Sequence, residues 1–360
     1  MRGRARLFPS LAAAATALAC GITLPVRAGT ASAVGVGAWA GQVHEYANPF
    51  DPNLDRAPTE SSLTWGSGWS GGIDQIVSRV DGREATKGGG RISRASGAPG
   101  PATYMNLVAP STFAAGTVIA CQQVWSGFTS SMPYTLKLSN GDPGDWSAVP
   151  ATFSGPGTAT YETIQVATPG SAADRARIEY SQTAIYGSTA YADFNDLLIL
   201  PDRLETIPTV TATATSTTWG SPSSLVNLTC ESGWAKHTGL PADVSVTFTL
   251  NGGESETVKA IVFYSYENVS ATFTLRDAAD NPVMDVVLTI EPQGWALPVY
   301  FDTPITTTAF KMDFGYATTQ VAMREVIFMR QLAAPIPEPA AGLLLTGGAL
   351  LLVRRRGRRA

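Results

Sequence analysis

The strongest constraint on the fold is a set of four short blocks that recur, in the same order, in both halves of the chain. Thr64-Trp65-Gly66-Ser67 returns as Thr218-Trp219-Gly220-Ser221, and Tyr134-Thr135-Leu136-Lys137 returns as Phe273-Thr274-Leu275-Arg276. Thr168-Pro169 with Arg177-Ile178-Glu179-Tyr180 returns as Thr303-Pro304 with Lys311-Met312-Asp313-Phe314. Asp196-Leu197-Leu198-Ile199 returns as Glu325-Val326-Ile327-Phe328. An ordered recurrence of this kind means one structural plan used twice. It predicts a first unit over 59–204, a short linker over 205–210 and a second unit over 211–331. The recurrence of Trp65 and Trp219 predicts that they fill equivalent core positions. Unequal spacing between the first two blocks predicts loops of different length there.

The local pattern says what each unit is made of. Val244, Val246, Phe248 and Leu250 alternate with Ser245, Thr247 and Thr249, and Phe310, Met312 and Phe314 alternate with Lys311 and Asp313. Period-2 alternation is the mark of a half-buried strand. Turn-forming clusters separate the runs, as at Asn140-Gly141-Asp142-Pro143-Gly144 and from Asp277 to Pro282. No long stretch of 3.6-residue period stands in the body. The expectation is an all-β chain of two tandem β-sandwich, jelly-roll-like domains. Residues 34–58, with Trp39, Tyr46 and Phe50, read as a lead-in strand and loop.

Both ends read as targeting segments. Arg2, Arg4 and Arg6 precede an apolar run from Leu7 to Leu24, and Ala31-Ser32-Ala33 is a small-x-small cleavage site. This is a signal peptide over 1–33, with Val26-Arg27-Ala28 as the alternative site. Cys20 follows Ala17-Leu18-Ala19, only a loose likeness to a lipidation motif. At the other end, prolines at 335, 337 and 339 fix an extended backbone that cannot join a helix. The apolar run 340–353 follows, which as a helix rising ~1.5 Å per residue is short against a bilayer core of ~30 Å. Arg354, Arg355, Arg356, Arg358 and Arg359 close the chain and hold its end on the cytoplasmic side.

Pro337-Glu338-Pro339, the short apolar helix and the arginine cluster together resemble the PEP-CTERM sorting signal of bacterial exported proteins. The resemblance covers about the last 24 residues of a sorting segment read over 332–360, and implies an exosortase-type processing enzyme as partner, removal of the tail, and release to the cell surface or exopolysaccharide matrix. Unrelated cargo shares this signal, so it implies no site residue in the body. An ordinary single-span anchor is the alternative. Within the body, Val299-Tyr300-Phe301-Asp302-Thr303-Pro304 and the two strands after it, the last carrying Glu325, resemble the closing strands of discoidin-like, galactose-binding-like domains. The first unit is similar through Thr168-Pro169 and Asp196. That resemblance implies a jelly-roll sandwich whose loops at one end hold glycans.

Charge and cysteine use narrow the partners. Nine of the 25 basic residues and only Glu338 of the 29 acidic ones lie in the terminal signals, so a net charge of −4 conceals a strongly acidic body. An acidic body disfavours nucleic acid and anionic membrane surfaces. Beyond Cys20, Cys121 and Cys230 remain, too few to staple a scaffold. They stand at non-equivalent positions of different units, and the expectation is two separate buried thiols.

Catalytic chemistry finds little support. The chain has two histidines, His44 and His237, and no nucleophile or metal motif accompanies either. The nearest carboxylate pairs are Asp142 with Asp145, Asp193 with Asp196, and Asp277 with Asp280. A glycosidase could use such a pair. Asp in Gly- and Pro-rich turns more commonly caps its own backbone. Ca²⁺ could bind the same turn oxygens, but no loop matches a known calcium pattern, and no cofactor is expected. Aromatic rings suit sugars better. Trp125, Trp146, Trp234 and Trp295 lie in or beside expected loops and are the candidate glycan-stacking residues, with core packing as the competing role for each. The reading is an exported, non-enzymatic surface or matrix protein, with extracellular polysaccharide as partner. The alternatives are a secreted glycan-active hydrolase using loop carboxylates, or a structural matrix component without a ligand.

Overall fold

The computed structural model describes residues 31–46, 63–65, 70–71, 90–94, 103–108, 116–123, 132–140, 149–155, 158–159, 162–171, 173, 175–180, 184–186, 189–194, 196–217, 219–229, 234–236, 242–265, 269–288, 296–317 and 320–332. Residues 1–30 of the expected signal peptide (1–33) and the sorting tail from 333 lie outside them, while residues 31–33 fall in a strand. Among the described residues, every regular element is a β-strand or a short 3₁₀ turn. No helix among them is long and apolar enough to cross a membrane.

Each unit has an outer and an inner sheet. In the first unit the outer sheet runs β10 (Thr158–Ala159), β8 (Met132–Ser139), β12 (Arg175–Tyr180), β6 (Thr103–Val108) and β3 (Leu63–Trp65). Its inner sheet runs β15 (Asp196–Leu200), β7 (Thr117–Gln123), β11 (Glu162–Pro169) and β9 (Ala151–Ser154). A further sheet orders β13 (Ala184–Tyr186), β14 (Thr189–Phe194), β5 (Gly90–Arg94) and β4 (Ser70–Gly71). In the second unit the outer sheet runs β1 (Ala31–Gly35), β23 (Pro282–Leu288), β22 (Ala271–Asp277), β25 (Ala309–Ala317), β20 (Ala242–Leu250) and β17 (Val210–Ala214). The inner sheet runs β18 (Trp219–Gly220), β19 (Trp234–Lys236), β26 (Val321–Gln331), β21 (Glu256–Ser265), β24 (Ala296–Thr307) and β2 (Val43–Glu45), with β16 (Leu204–Thr206) beside β26.

Strand register tests the repeat residue by residue. In the first unit Thr135, Leu136 and Lys137 pair with Glu179, Ile178 and Arg177; in the second, Thr274, Leu275 and Arg276 pair with Asp313, Met312 and Lys311. The recurring blocks therefore occupy the same places in the same ladder. Even their ion pairs correspond, with Lys137 Nζ 2.8 Å from Glu179 Oε2 and Arg276 Nε 2.9 Å from Asp313 Oδ2. The last block behaves likewise. Leu197 and Leu198 pair with Ala120 and Ile119, as Val326 and Ile327 pair with Phe263 and Val262.

Two of the expected equivalences fail. Trp65 pairs with Met105, which pairs with Ile178, and the residue in that place in the second unit is Ala214, through Val246 and Met312. Trp219 instead lies in β18 of the inner sheet and is 40% exposed, so it is not a core counterpart of Trp65. Trp-Gly-Ser is a turn composition that recurred without sharing a place. The Thr-Pro dipeptides share a strand but are out of step. Thr168 and Pro169 end β11, whereas Thr303 and Pro304 sit in an irregularity of β24, between the pairs Ala260–Tyr300 and Val258–Ile305. The FDTP stretch is thus a bulge inside one strand rather than a turn before it.

The N-terminal segment joins the second unit. β1 pairs antiparallel with β23 from Ala31–Leu288 to Gly35–Met284, and β2 pairs with β24 from Val43–Phe301 to Glu45–Val299. Ala33 and Val43 are buried in the core of that unit, and Trp39 packs edge-on to Phe301 with ring centroids 6.0 Å apart. His44 Nε2 lies 2.8 Å from Asp302 Oδ2.

The inner sheets explain a run that alternation alone cannot. Val321 to Met329 of β26 is buried at every position. Side chains of a strand point alternately to its two faces. Val326 and Phe328 enter the core of the second unit, while Ile327 and Met329 enter a different cluster. That second cluster joins the units: Ile119, Ile164, Leu198 and Leu200 of the first meet Val262, Tyr264, Ile327 and Met329 of the second. The linker is part of the same seam. Leu204 pairs with Gln331, its N–H donates to Thr117 Oγ1 at 2.6 Å, and Arg330 Nε reaches Glu205 Oε1 at 2.6 Å.

Candidate functional site

One end of the second unit carries exposed aromatic rings. Here the end of β17, the start of β20, the end of β25 and the hairpin of β18 and β19 come together. Trp234, expected as a stacking residue, is fully buried. Its indole N–H donates to Thr217 Oγ1 at 3.0 Å, and its ring lies 5.8 Å from Phe314, which in turn lies 5.3 Å from Phe273. A sealed ring cannot stack on a sugar, and Trp234 packs instead in the core of the second unit. Trp125, Trp146 and Trp295 lie outside the described residues.

The exposed rings are Trp219 on β18 and Tyr316 on β25, the latter 66% exposed. Both sit on paired backbone: Trp219 opposite Ala235, and Tyr316 opposite Asp243. Gly315, before Tyr316, takes a left-handed backbone at φ 61°, which favours glycine, and its N–H donates to Asp313 Oδ1 at 3.1 Å. Thr215 ties β17 to this end: Ser245 N–H donates to its Oγ1 at 3.0 Å, and its hydroxyl reaches the Asp243 carbonyl at 3.2 Å. The sequence placed Trp219 in the core through the repeat and did not single out Tyr316. The alternation of β25 hid it, because a bulge at Phe314 turns Gly315, opposite Val244, and Ala317 to the core side and sends Tyr316 outward with Asp243.

A second concave feature lies on the seam. A cavity of about 350 Å³ is bounded by Ser154 and Gly155 of the first unit, the linker, Leu228 and Glu325. Glu325 is fully buried and accepts the Leu228 N–H at 3.1 Å; the Leu228 carbonyl accepts the Ile164 N–H at 2.8 Å. The carboxylate thereby fixes a left-handed residue (φ 59°) that bridges to β11. Gly155, at φ 91°, could not carry a side chain, since a Cβ would stand 2.2 Å from the Ile164 carbonyl oxygen. These contacts hold the units together.

Two of the candidate carboxylates, Asp277 and Asp280, are occupied. Asp277 Oδ1 accepts the N–H groups of Ala279 and Asn281, each at 2.9 Å, closing its own turn. Asp280 pairs with Lys311, and that hydrogen bond holds its carboxyl below the ordinary aspartate range. A carboxyl so held is a poor proton donor near neutral pH. Asp193 and Asp196 stand in β14 and β15, and Asp142 and Asp145 lie outside the described residues. No group of three His, Cys, Asp or Glu that could hold a metal occurs among the described residues. Cys121 stands in β7, paired with Ile164 and Asp196 on its two sides; Cys230 and His237 lie outside the described residues.

No family model matches the chain, and no curated protein matches it. Solved structures do. The family 32 carbohydrate-binding module from C. perfringens NanJ, in complex with galactose, is 19% identical over 35% of this chain and 99% of its own, with a TM-score of 0.30. A pectin-binding carbohydrate-binding module is 17% identical over 35% of this chain and 93% of its own, with a TM-score of 0.26. A fucolectin from striped bass (Morone saxatilis) serum is 9% identical over 84% of this chain and 96% of its own, with a TM-score of 0.29. At such scores no residue or ligand carries over from them.

Proposed function

We propose that this chain is an exported, non-enzymatic protein of the cell surface or extracellular matrix that binds glycans at the aromatic end of its second unit. It would reach the surface by PEP-CTERM-type sorting, with the tail removed near Pro337-Glu338-Pro339 by an exosortase-type enzyme. The observation that carries the binding reading is the exposure of two aromatic rings on paired strand backbone of the second unit, Trp219 on β18 and Tyr316 on β25. Pyranose rings present C–H faces that stack on such side chains, and the phenol and Asp243 supply hydrogen bonds. Rings held on strands also lose little freedom on binding.

A glycan array with the purified body tests this, followed by titration of any positive glycan against Trp219→Ala and Tyr316→Ala. Each substitution should weaken binding by up to about tenfold, the worth of one stacked ring. Unchanged affinity in both variants rejects the site, and a blank array leaves the body a structural matrix role. Intact mass of the surface-exposed protein tests the sorting: recovery of Arg354 to Ala360 on the mature form would rule tail removal out.

A further inference from the structure

The chain offers two small-x-small sites to a signal peptidase, and they leave different proteins behind. A cut after Ala33 falls inside β1. Of the pairs that join β1 to β23, it removes Ala31–Leu288, Ser32–Val287 and Ala33–Val286, and leaves only Val34–Asp285 and Gly35–Met284. It also removes the Ala33 N–H that donates to Glu45 Oε1 at 2.8 Å, which ties β1 to β2. Ala33 itself leaves the core of the second unit. β23 would then present bare backbone beside Val286 and Leu288, both fully buried. An unpaired edge next to apolar residues is a template for aggregation. A cut after Ala28 leaves Gly29 and Thr30 ahead of an intact β1.

We infer that the processing site of this chain is the Ala28–Gly29 bond, an inference that rests on the export reading above. A signal peptidase would add water across that amide, and the carbon–nitrogen bond would break. The leader departs with the Ala28 carboxylate, and the mature chain begins at the Gly29 α-amine. The segment that follows is then no spent remnant of a leader but the edge strand of the outer sheet.

The N-terminal peptide of the protein recovered from the surface of the producing cells, read by mass spectrometry, decides the matter. A mature chain beginning at Gly29 is the expected result, and one beginning at Val34 overturns the inference. A surface protein still beginning at Met1 overturns the export reading with it, and its mass sets that outcome apart. A second measurement tests the structural premise without export. Two chains, beginning at Gly29 and at Val34 and otherwise identical, are compared by thermal unfolding. The shorter chain should melt lower by roughly 2–4 °C or more, or aggregate; equal melting would show that residues 31–33 contribute nothing to the sheet.

Discussion

Trp234 and Trp219 lie in neighbouring paired strands, yet one ring is sealed and the other open. Replacing them should therefore separate stability from binding. Trp234→Ala removes a ring that touches Phe314 and leaves Thr217 without its donor. The cost should be about 3–5 kcal/mol, measured as a fall in the urea midpoint. Trp219→Ala should cost less than about 1 kcal/mol while weakening glycan binding. Equal losses of stability would show that both rings are core. Asp280 gives a second prediction at this scale. Its carboxyl titrates below the ordinary range because of its hydrogen bond to Lys311. A depressed carboxyl stabilises the fold above its unfolded value and loses that contribution as pH falls through its folded value. The group is fully exposed, so the effect on stability is small and the titration is the better readout. Carboxyl NMR should place its midpoint below that of ordinary aspartates, and Lys311→Met should raise it.

Each unit is assembled from strands whose sequence signals differ in range. The alternation of β20 was legible because Val244, Val246, Phe248 and Leu250 all enter one core. The repeated ladder of β8 with β12 and of β22 with β25 was legible because the same residues set the same register. The apolar run of β26 was visible too, but not its cause, since nothing in Val321 to Met329 says what covers the second face. That the lead-in segment holds a strand was legible, but the partners of β1 and β2 were not. Five and three residues long, they carry little pattern, and their partners lie near the far end of the chain. For Trp234 the core role prevails over the stacking role: flanking turn residues suggest a loop, while the ring packs into the second unit's core against Phe314. At this scale we expect a chain lacking residues up to 46 to be destabilised or aggregated. A synthetic peptide of residues 29–46, added in trans, should restore solubility and raise the melting temperature. No effect of the peptide would mean that the segment only decorates the sheet.

The whole molecule behaves like a dimer written as one chain. Ile119 and Val262 hold equivalent register positions in the two units, as do Leu198 with Ile327 and Leu200 with Met329, and all six lie in the one cluster at the seam. Equivalent faces meeting each other is the pattern of a two-fold interface. Neither unit should then be soluble alone, because each would bare the apolar face of its inner sheet. Val262→Asp should cost roughly 3–5 kcal/mol by placing an unpaired charge in that layer. The natural chain should unfold in one transition and the variant in two; one cooperative transition at unchanged midpoint in the variant would show the layer to be dispensable. The strap formed by β1 and β2 has a consequence in time as well. His44 and Asp302 are 258 residues apart in sequence. At a synthesis rate of roughly 5–20 residues per second, the first strands emerge about 13–50 s before the strand that receives them. The first unit can finish folding in that interval, so the earliest part of the chain to be made is among the last to find its place.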